Sequence, residues 1–393
     1  SNVEASAASL LAVLDRKLQS APGVEIADIA TLSRPDRELV LDTQRVLGIQ
    51  FAADEPAASL TRALDRHGSP VYSWRLYASL GDLLVEKERY TDAADTYRSF
   101  AARSPDSIRS PELQSLAIEA YRKGGFAELA MQGKREYVEL YRFSGPFWAA
   151  RTRDEAPEVV KQLKAHLRDV ATHQHAVAQA GKKPSDYQQA ARWYRDLLES
   201  FPDEPDAAET NYLLADVLYE SGQFGEAALE YERTAYVQPP GPRSSAAGYA
   251  GLVARERHEA TLTGTERAAW HRQSIDSAVR FATAWPEHPQ SGPMWLRSAK
   301  QLFALAEYAP AADAAGQVVT RMPPMGRDDE RAAWSVIADA SFELGRFGES
   351  EGAYSEVLAR LEAGSPERGA VTERLGASIY KQGEARQQAG DTA

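Results

Sequence analysis

SGQFGEAALEYERTAYVQP, residues 221–239, decides how this chain is read, because its pattern returns elsewhere. Gly222 is followed by an aromatic (Phe224), a small residue (Ala227), a second aromatic (Tyr231) and a closing Pro239. The same order recurs in ERYTDAADTYRSFAARSP (88–105) and SDYQQAARWYRDLLESFP (185–202). Looser copies run AEYAPAADAAGQVVTRMP (306–323) and LGRFGESEGAYSEVLARL (344–361). A chain that repeats one supersecondary unit stacks the copies, and the stack presents a surface rather than a reaction centre.

Each copy fits two antiparallel helices. In residues 207–239 the first helix carries Leu214, Ala215 and Leu218 on one stripe and ends at Gly222. The second puts Phe224, Ala227, Ala228 and Tyr231 on its inner side. Ala227 lets the backbones approach, and Pro239 stops the helix by removing a donor. The pattern resembles the tetratricopeptide repeat. Its signature places fall on Tyr77, Leu80, Gly81, Leu84, Ala93, Tyr97 and Pro105, then on Leu214, Ala215, Leu218, Ala227, Tyr231 and Pro239. Near the C-terminus they fall on Trp334, Ile337, Ala338, Phe347, Ser350 and Tyr354, with no closing Pro.

The small-residue place runs through Ala93, Leu129, Ala190, Ala227, Ser274, Ala311 and Ser350, at intervals of 36, 61, 37, 47, 37 and 39. Leu129 departs from the pattern. The interval of 61 predicts an added long helix over 157–180 after a corner at Ser144-Gly145-Pro146. The resemblance implies an all-α, right-handed superhelical solenoid of helix hairpins. Hairpins are expected at about 73–105, 109–141, 157–202, 207–239, 245–286, 292–323 and 330–361 of a continuous array over 37–393. Residues 366–393 read as a truncated repeat with a turn at Gly390-Asp391, and 1–36 as an extended leader. The long period is similar to that of envelope lipoproteins serving outer-membrane assembly. The likeness implies a periplasmic or cell-envelope setting with a membrane anchor on the native N-terminus; the cytoplasm is the alternative.

Composition bounds the chemistry. The 393 residues carry 57 acids against 45 basic residues, net −12, which argues against nucleic acid, since that ligand needs a basic stripe. Cys is absent, so disulfides, thiolate metal sites and Cys nucleophiles are excluded. No run of 18 apolar residues occurs. The chain begins Ser1-Asn2-Val3, which reads as a proteolytic scar, so the missing signal peptide carries no information.

No phosphate-cradling, dinucleotide, nucleophile-elbow or HExxH motif is present, and no cofactor is expected. His173 and His175, two apart on a helix, point to different sides, and His166 with His173 lacks a third ligand for zinc. Asp203, Glu204 and Asp206, like Asp328, Asp329 and Glu330, precede first helices, where carboxylates cap amides and suit the dipole.

In tetratricopeptide solenoids the first helices line the concave face. The resemblance maps its inward places onto Asp82, Val85, Gln114, Ile118, Tyr121, Tyr212, Asp216, Tyr219, Lys300, Phe303, Asp339 and Phe342. Of these, Tyr121, Tyr212, Asp216, Tyr219, Lys300, Phe303, Asp339 and Phe342 are the expected partner-binding residues, as aromatic anchors with orienting charges. Glu226 and Glu232 on the second helix should face outward. The acids do not match the basic set by which some relatives clamp a chaperone's terminal carboxylate. The expected function is a non-catalytic scaffold or adaptor for a protein or peptide. Two alternatives stay open: an α/α-barrel carbohydrate hydrolase, and the repeat region of a larger enzyme.

Overall fold

The structure is a computed structural model that describes residues 2–21, 23–26 and 28–388. Eighteen α-helices make up nearly all of the regular structure among them. They fall into two compact units, Ser1–Asp203 and Glu204–Ala393, where the sequence predicts one array. Unit 1 holds α1 (Asn2–Leu18), α2 (Arg34–Phe51), α3 (Pro56–His67), α4 (Ser73–Glu86), α5 (Tyr90–Arg103), α6 (Ser110–Lys123), α7 (Ala127–Tyr141), α8 (Pro157–Gly181) and α9 (Pro184–Ser200). Unit 2 holds α10 (Ala207–Glu220), α11 (Phe224–Tyr236), α12 (Ser244–Glu259), α13 (Gly264–Ala284), α14 (Ser291–Ala304), α15 (Tyr308–Val319), α16 (Arg327–Glu343), α17 (Phe347–Arg360) and α18 (Glu367–Gln388). Within each unit every helix packs on its neighbours in sequence, which is the contact pattern of an all-α solenoid.

The extended leader is corrected. Residues 2–18 form α1, and Ala7, Leu11, Leu14 and Leu18, spaced by four and three, are buried in the unit 1 core. Beyond α1 the chain makes a short antiparallel pair, β1 (Gln19–Ala21) with β2 (Val24–Glu25), and one 3-10 turn before α2. The long helix expected over 157–180 is α8, which serves as the first helix of a hairpin with α9. The turn predicted at Gly390-Asp391 lies outside the described residues. In α18, Val371 and Leu375 pack on the preceding hairpin and Ser378 is buried, while Ile379 is half exposed.

Ala93, Ala190, Ala227, Ala311 and Ser350 are fully buried, as their place at the helix–helix contact requires. Leu129 is not: it is exposed, and Ala130 is buried in its stead. The slip has a clear cause. Phe126 mimics the aromatic that opens a second helix, but α7 begins one residue later, at Ala127. In α13 the buried residue is likewise Ile275, next to the half-buried Ser274. Close approach also fixes the small residue on the first helix. A Cβ added at Gly81 would lie 2.2 Å from the Tyr97 ring.

Five hairpins share one three-residue turn. Its middle residue is left-handed at Glu88 (φ 58°), Gly125 (77°), Gly222 (81°), Ala306 (60°) and Gly345 (73°). The next N–H then donates to a carbonyl in the last turn of the helix, as Gln223 does to Leu218 at 2.9 Å and Glu307 to Leu302 at 3.0 Å. Glycine takes this conformation without a Cβ clash, whereas an L-residue is strained there by about 1–2 kcal/mol. Ala306→Gly should therefore raise stability by about 0.5–1 kcal/mol, the relief exceeding the extra freedom of the unfolded chain. A lower denaturation midpoint in urea for this variant would contradict that account.

Candidate peptide-binding groove

Three hairpins tie their helices together by the same bond. The Tyr97 hydroxyl donates to Asp82 Oδ1 at 2.7 Å, Tyr231 to Asp216 at 2.5 Å and Tyr354 to Asp339 at 2.5 Å. Each tyrosine is buried on a second helix, and burial followed by the bonded carboxylate holds its hydroxyl far above the ordinary range. Lys300 occupies the equivalent first-helix place in α14, and there the second helix offers Ala315 instead of tyrosine. An acid thus stands where a tyrosine reaches it. Asp216 and Asp339 are strut ends of the hairpin as much as inward charges, and Asp339 also takes Arg374 Nη1 at 2.8 Å.

The aromatic places behave alike. Tyr219 packs its ring on Phe224 (centroids 5.2 Å), Phe303 on Tyr308 (5.4 Å) and Phe342 on Phe347 (5.4 Å). All three first-helix rings are half-buried beside the hairpin turn. Tyr212 lies edge-on to Tyr231 at 5.4 Å with the Arg243 guanidinium 4.8 Å from its ring. Lys300 is exposed. α14 and α16 pack on each other, so Lys300 and Phe303 share a face with Asp339 and Phe342, while Tyr212, Asp216 and Tyr219 sit together on α10.

Tyr121 is corrected. With Gln114 and Ile118 it is buried, and it belongs to the unit 1 core. The slip at Leu129 carried over to α6, where one residue turns a side chain by about 100°. In the right register the inward places are Ser115, Glu119 and Arg122, and Glu119 accepts Arg122 Nη2 at 2.6 Å. Glu232 is corrected too. It does not face outward but is ion-paired to Arg255 at 2.5 Å, and the Arg255 side chain is only 7% exposed. Glu226 is exposed, as expected.

Of the three histidines of α8, His166 and His175 are buried and His173 is half-buried. His166 is buried edge-on to Tyr137 (4.8 Å) with neither ring nitrogen partnered, and His175 Nδ1 lies 3.3 Å from the Tyr194 hydroxyl. Among the described residues no group of three or more His, Cys, Asp or Glu could hold a metal ion. No described helix is long and apolar enough to cross a membrane.

Sequence reasoning missed a groove of unit 1. It runs between the first helices α2 and α4, with a volume of about 820 Å³. Leu41, Arg45 and Ile49 form the α2 wall, and Trp74, Ala78, Ser79, Asp82 and Leu83 line the α4 side. Ile49 is 55% exposed and Leu41 48%. One end is closed by Trp74, whose indole N–H donates to Glu25 at 3.0 Å between the guanidinium groups of Arg75 and Arg109, each 4.4 Å from its ring. Arg75 Nε donates to the same carboxylate at 2.7 Å. The available signal was α2 itself. Leu41, Val46 and Ile49 are apolar beyond the buried Val40, Leu47 and Phe51, more than one inner face can absorb.

The sequence profile of the tetratricopeptide repeat matches residues 54–108 and 184–244. No curated protein matches the chain in sequence. Among solved structures, a tetratricopeptide repeat protein from Parabacteroides merdae is 11% identical over 78% of this chain and 98% of its own, at a TM-score of 0.26. A second tetratricopeptide domain is 13% identical over 88% and 99%, also at 0.26. A circular tandem repeat protein is 15% identical over 98% and 99%, at 0.19. Scores this low do not show a shared overall shape. The two segments that match the tetratricopeptide repeat, residues 54–108 and 184–244, thus lie within an all-α fold of repeated helix hairpins.

Proposed function

We propose that this protein is a non-catalytic scaffold whose first-helix faces hold a peptide segment of a partner protein. The α2/α4 groove carries the reading: an open channel with apolar side chains on its walls and charges beside them suits a peptide. The half-buried Tyr212, Asp216, Tyr219, Phe303, Asp339 and Phe342, with the exposed Lys300, offer unit 2 a second face of the same kind. The setting we propose, a bacterial cell envelope, rests on the repeat period alone.

The test is selection of displayed random peptides on the immobilised chain, followed by affinity measurement on Ile49→Asp. Ile49 is exposed, so the variant should keep its helical spectrum and melting temperature. Peptides held in the unit 1 groove should bind it at least about tenfold more weakly, as loss of an apolar anchor does. If every selected peptide binds parent and variant alike, unit 1 does not use this groove.

A further inference from the structure

The α2 wall has an order along its length. Leu41, Arg45 and Ile49 are four residues apart, so they form one stripe of about 12 Å with the cation at its centre. Among the described residues Arg45 makes no ion pair or hydrogen bond. Of the other lining cations, Arg75 is engaged with Glu25 at 2.7 Å, and Lys87 stands at the C-terminal end of α4 next to the acid Glu86 rather than opposite the centre of the stripe. Across from the stripe the α4 side is low, formed by Ala78 and Ser79. Beyond them the helices close up, since a Cβ at Gly48 would lie 3.4 Å from Leu83. Asp82, the acid next to Leu83, disfavours a second negative charge at that level and suits an apolar one.

In an extended segment, residues i, i+2 and i+4 face one way and span about 13 Å, the length of the stripe.

We propose that the α2/α4 groove selects an extended partner segment of the pattern apolar–x–acidic–x–apolar, with the carboxylate on Arg45 and the apolar side chains against Leu41 and Ile49. The proposal rests on the groove being a peptide site. It adds the charge, spacing and conformation of the ligand. Arg suits the role because its planar fork takes both carboxylate oxygens.

The test uses the full chain and three labelled peptides with the cores Leu-Ser-Glu-Ser-Leu, Leu-Ser-Gln-Ser-Leu and Leu-Ser-Lys-Ser-Leu, read by fluorescence anisotropy. At about 50 mM salt the Glu peptide should bind about threefold tighter than Gln and about tenfold tighter than Lys, the preference shrinking at about 300 mM. Arg45→Glu, an exposed change checked by its helical spectrum, should reverse the order of Glu and Lys. Equal binding of all three, still lost in Ile49→Asp, overturns the acid selection and leaves the groove reading intact. Tighter binding by a helical peptide with its anchors at i, i+4 and i+8 overturns the extended conformation. No binding by any of the three overturns the inference, while peptides selected at random still decide the groove.

Discussion

Glu232→Ala should lower the stability of unit 2 by about 3–5 kcal/mol, because it strands a buried cation. Glu232 Oε1 accepts Arg255 Nε at 2.5 Å, Oε2 accepts Nη2 at 3.2 Å, and the Ser277 hydroxyl adds a bond of 2.8 Å. The guanidinium stacks 4.7 Å from the Trp270 ring, and Nη1 already lacks a partner. Leaving Arg255 without its acid costs far more than the pair contributes over an apolar replacement. The double variant Glu232→Ala/Arg255→Met should therefore recover most of the loss. Glu226→Ala, exposed on the same helix, should stay within about 0.5 kcal/mol of the parent. Urea denaturation of the four proteins checks this. A Glu232→Ala loss below about 1 kcal/mol would mean that water reaches Arg255.

The second large effect is a dependence on pH. Burial lowers the His166 pKa to about 4, helped by the Lys134 charge and opposed by Asp169. The native state thus prefers the neutral ring. Its contribution is complete above the unfolded value near 6.5, and it is lost as pH falls from there to about 4. The difference amounts to about 3 kcal/mol. His166→Phe keeps an aromatic ring against Tyr137 and removes the titration. Between pH 8 and pH 4 the parent should lose about 3 kcal/mol more than this variant, by urea denaturation at each pH. Equal losses would show that the ring is solvated or finds a partner in acid.

How much of this was legible depends on which face a residue serves. Ala227 and Tyr231 could be placed from sequence because the small–aromatic spacing belongs to one hairpin. Glu232 could not. α11 packs on α10 with one face and on α12 with another, and a helical wheel drawn for a single hairpin assigns the second face to solvent. The single-residue slip at Phe126 shows how little separates a surface residue from a core one: it put Leu129 at a helix contact and Tyr121 on a binding face. α1 was missed because its Leu11, Leu14 and Leu18 stripe carries no repeat signature, and for the same reason α2 and α3 fell inside the expected array over 37–393 without being assigned a hairpin. The groove between α2 and α4 consequently lay in the part of the chain where the pattern was silent.

The shared turn bears on how a chain of this kind can change length. Five hairpins close over turns of three residues, while the connections between successive hairpins run from five residues at 68–72 to fifteen at 142–156. Among these five the turn does not vary, whereas α8/α9 closes over 182–183 and α12/α13 over 260–263, so the five are modules with a standard turn. Duplicating or deleting one leaves the geometry inside every other hairpin untouched and asks only that two new side faces fit. An insertion of a single residue inside a turn has no such freedom, because it displaces the left-handed position, which is a glycine in three of the five, and rotates the following helix.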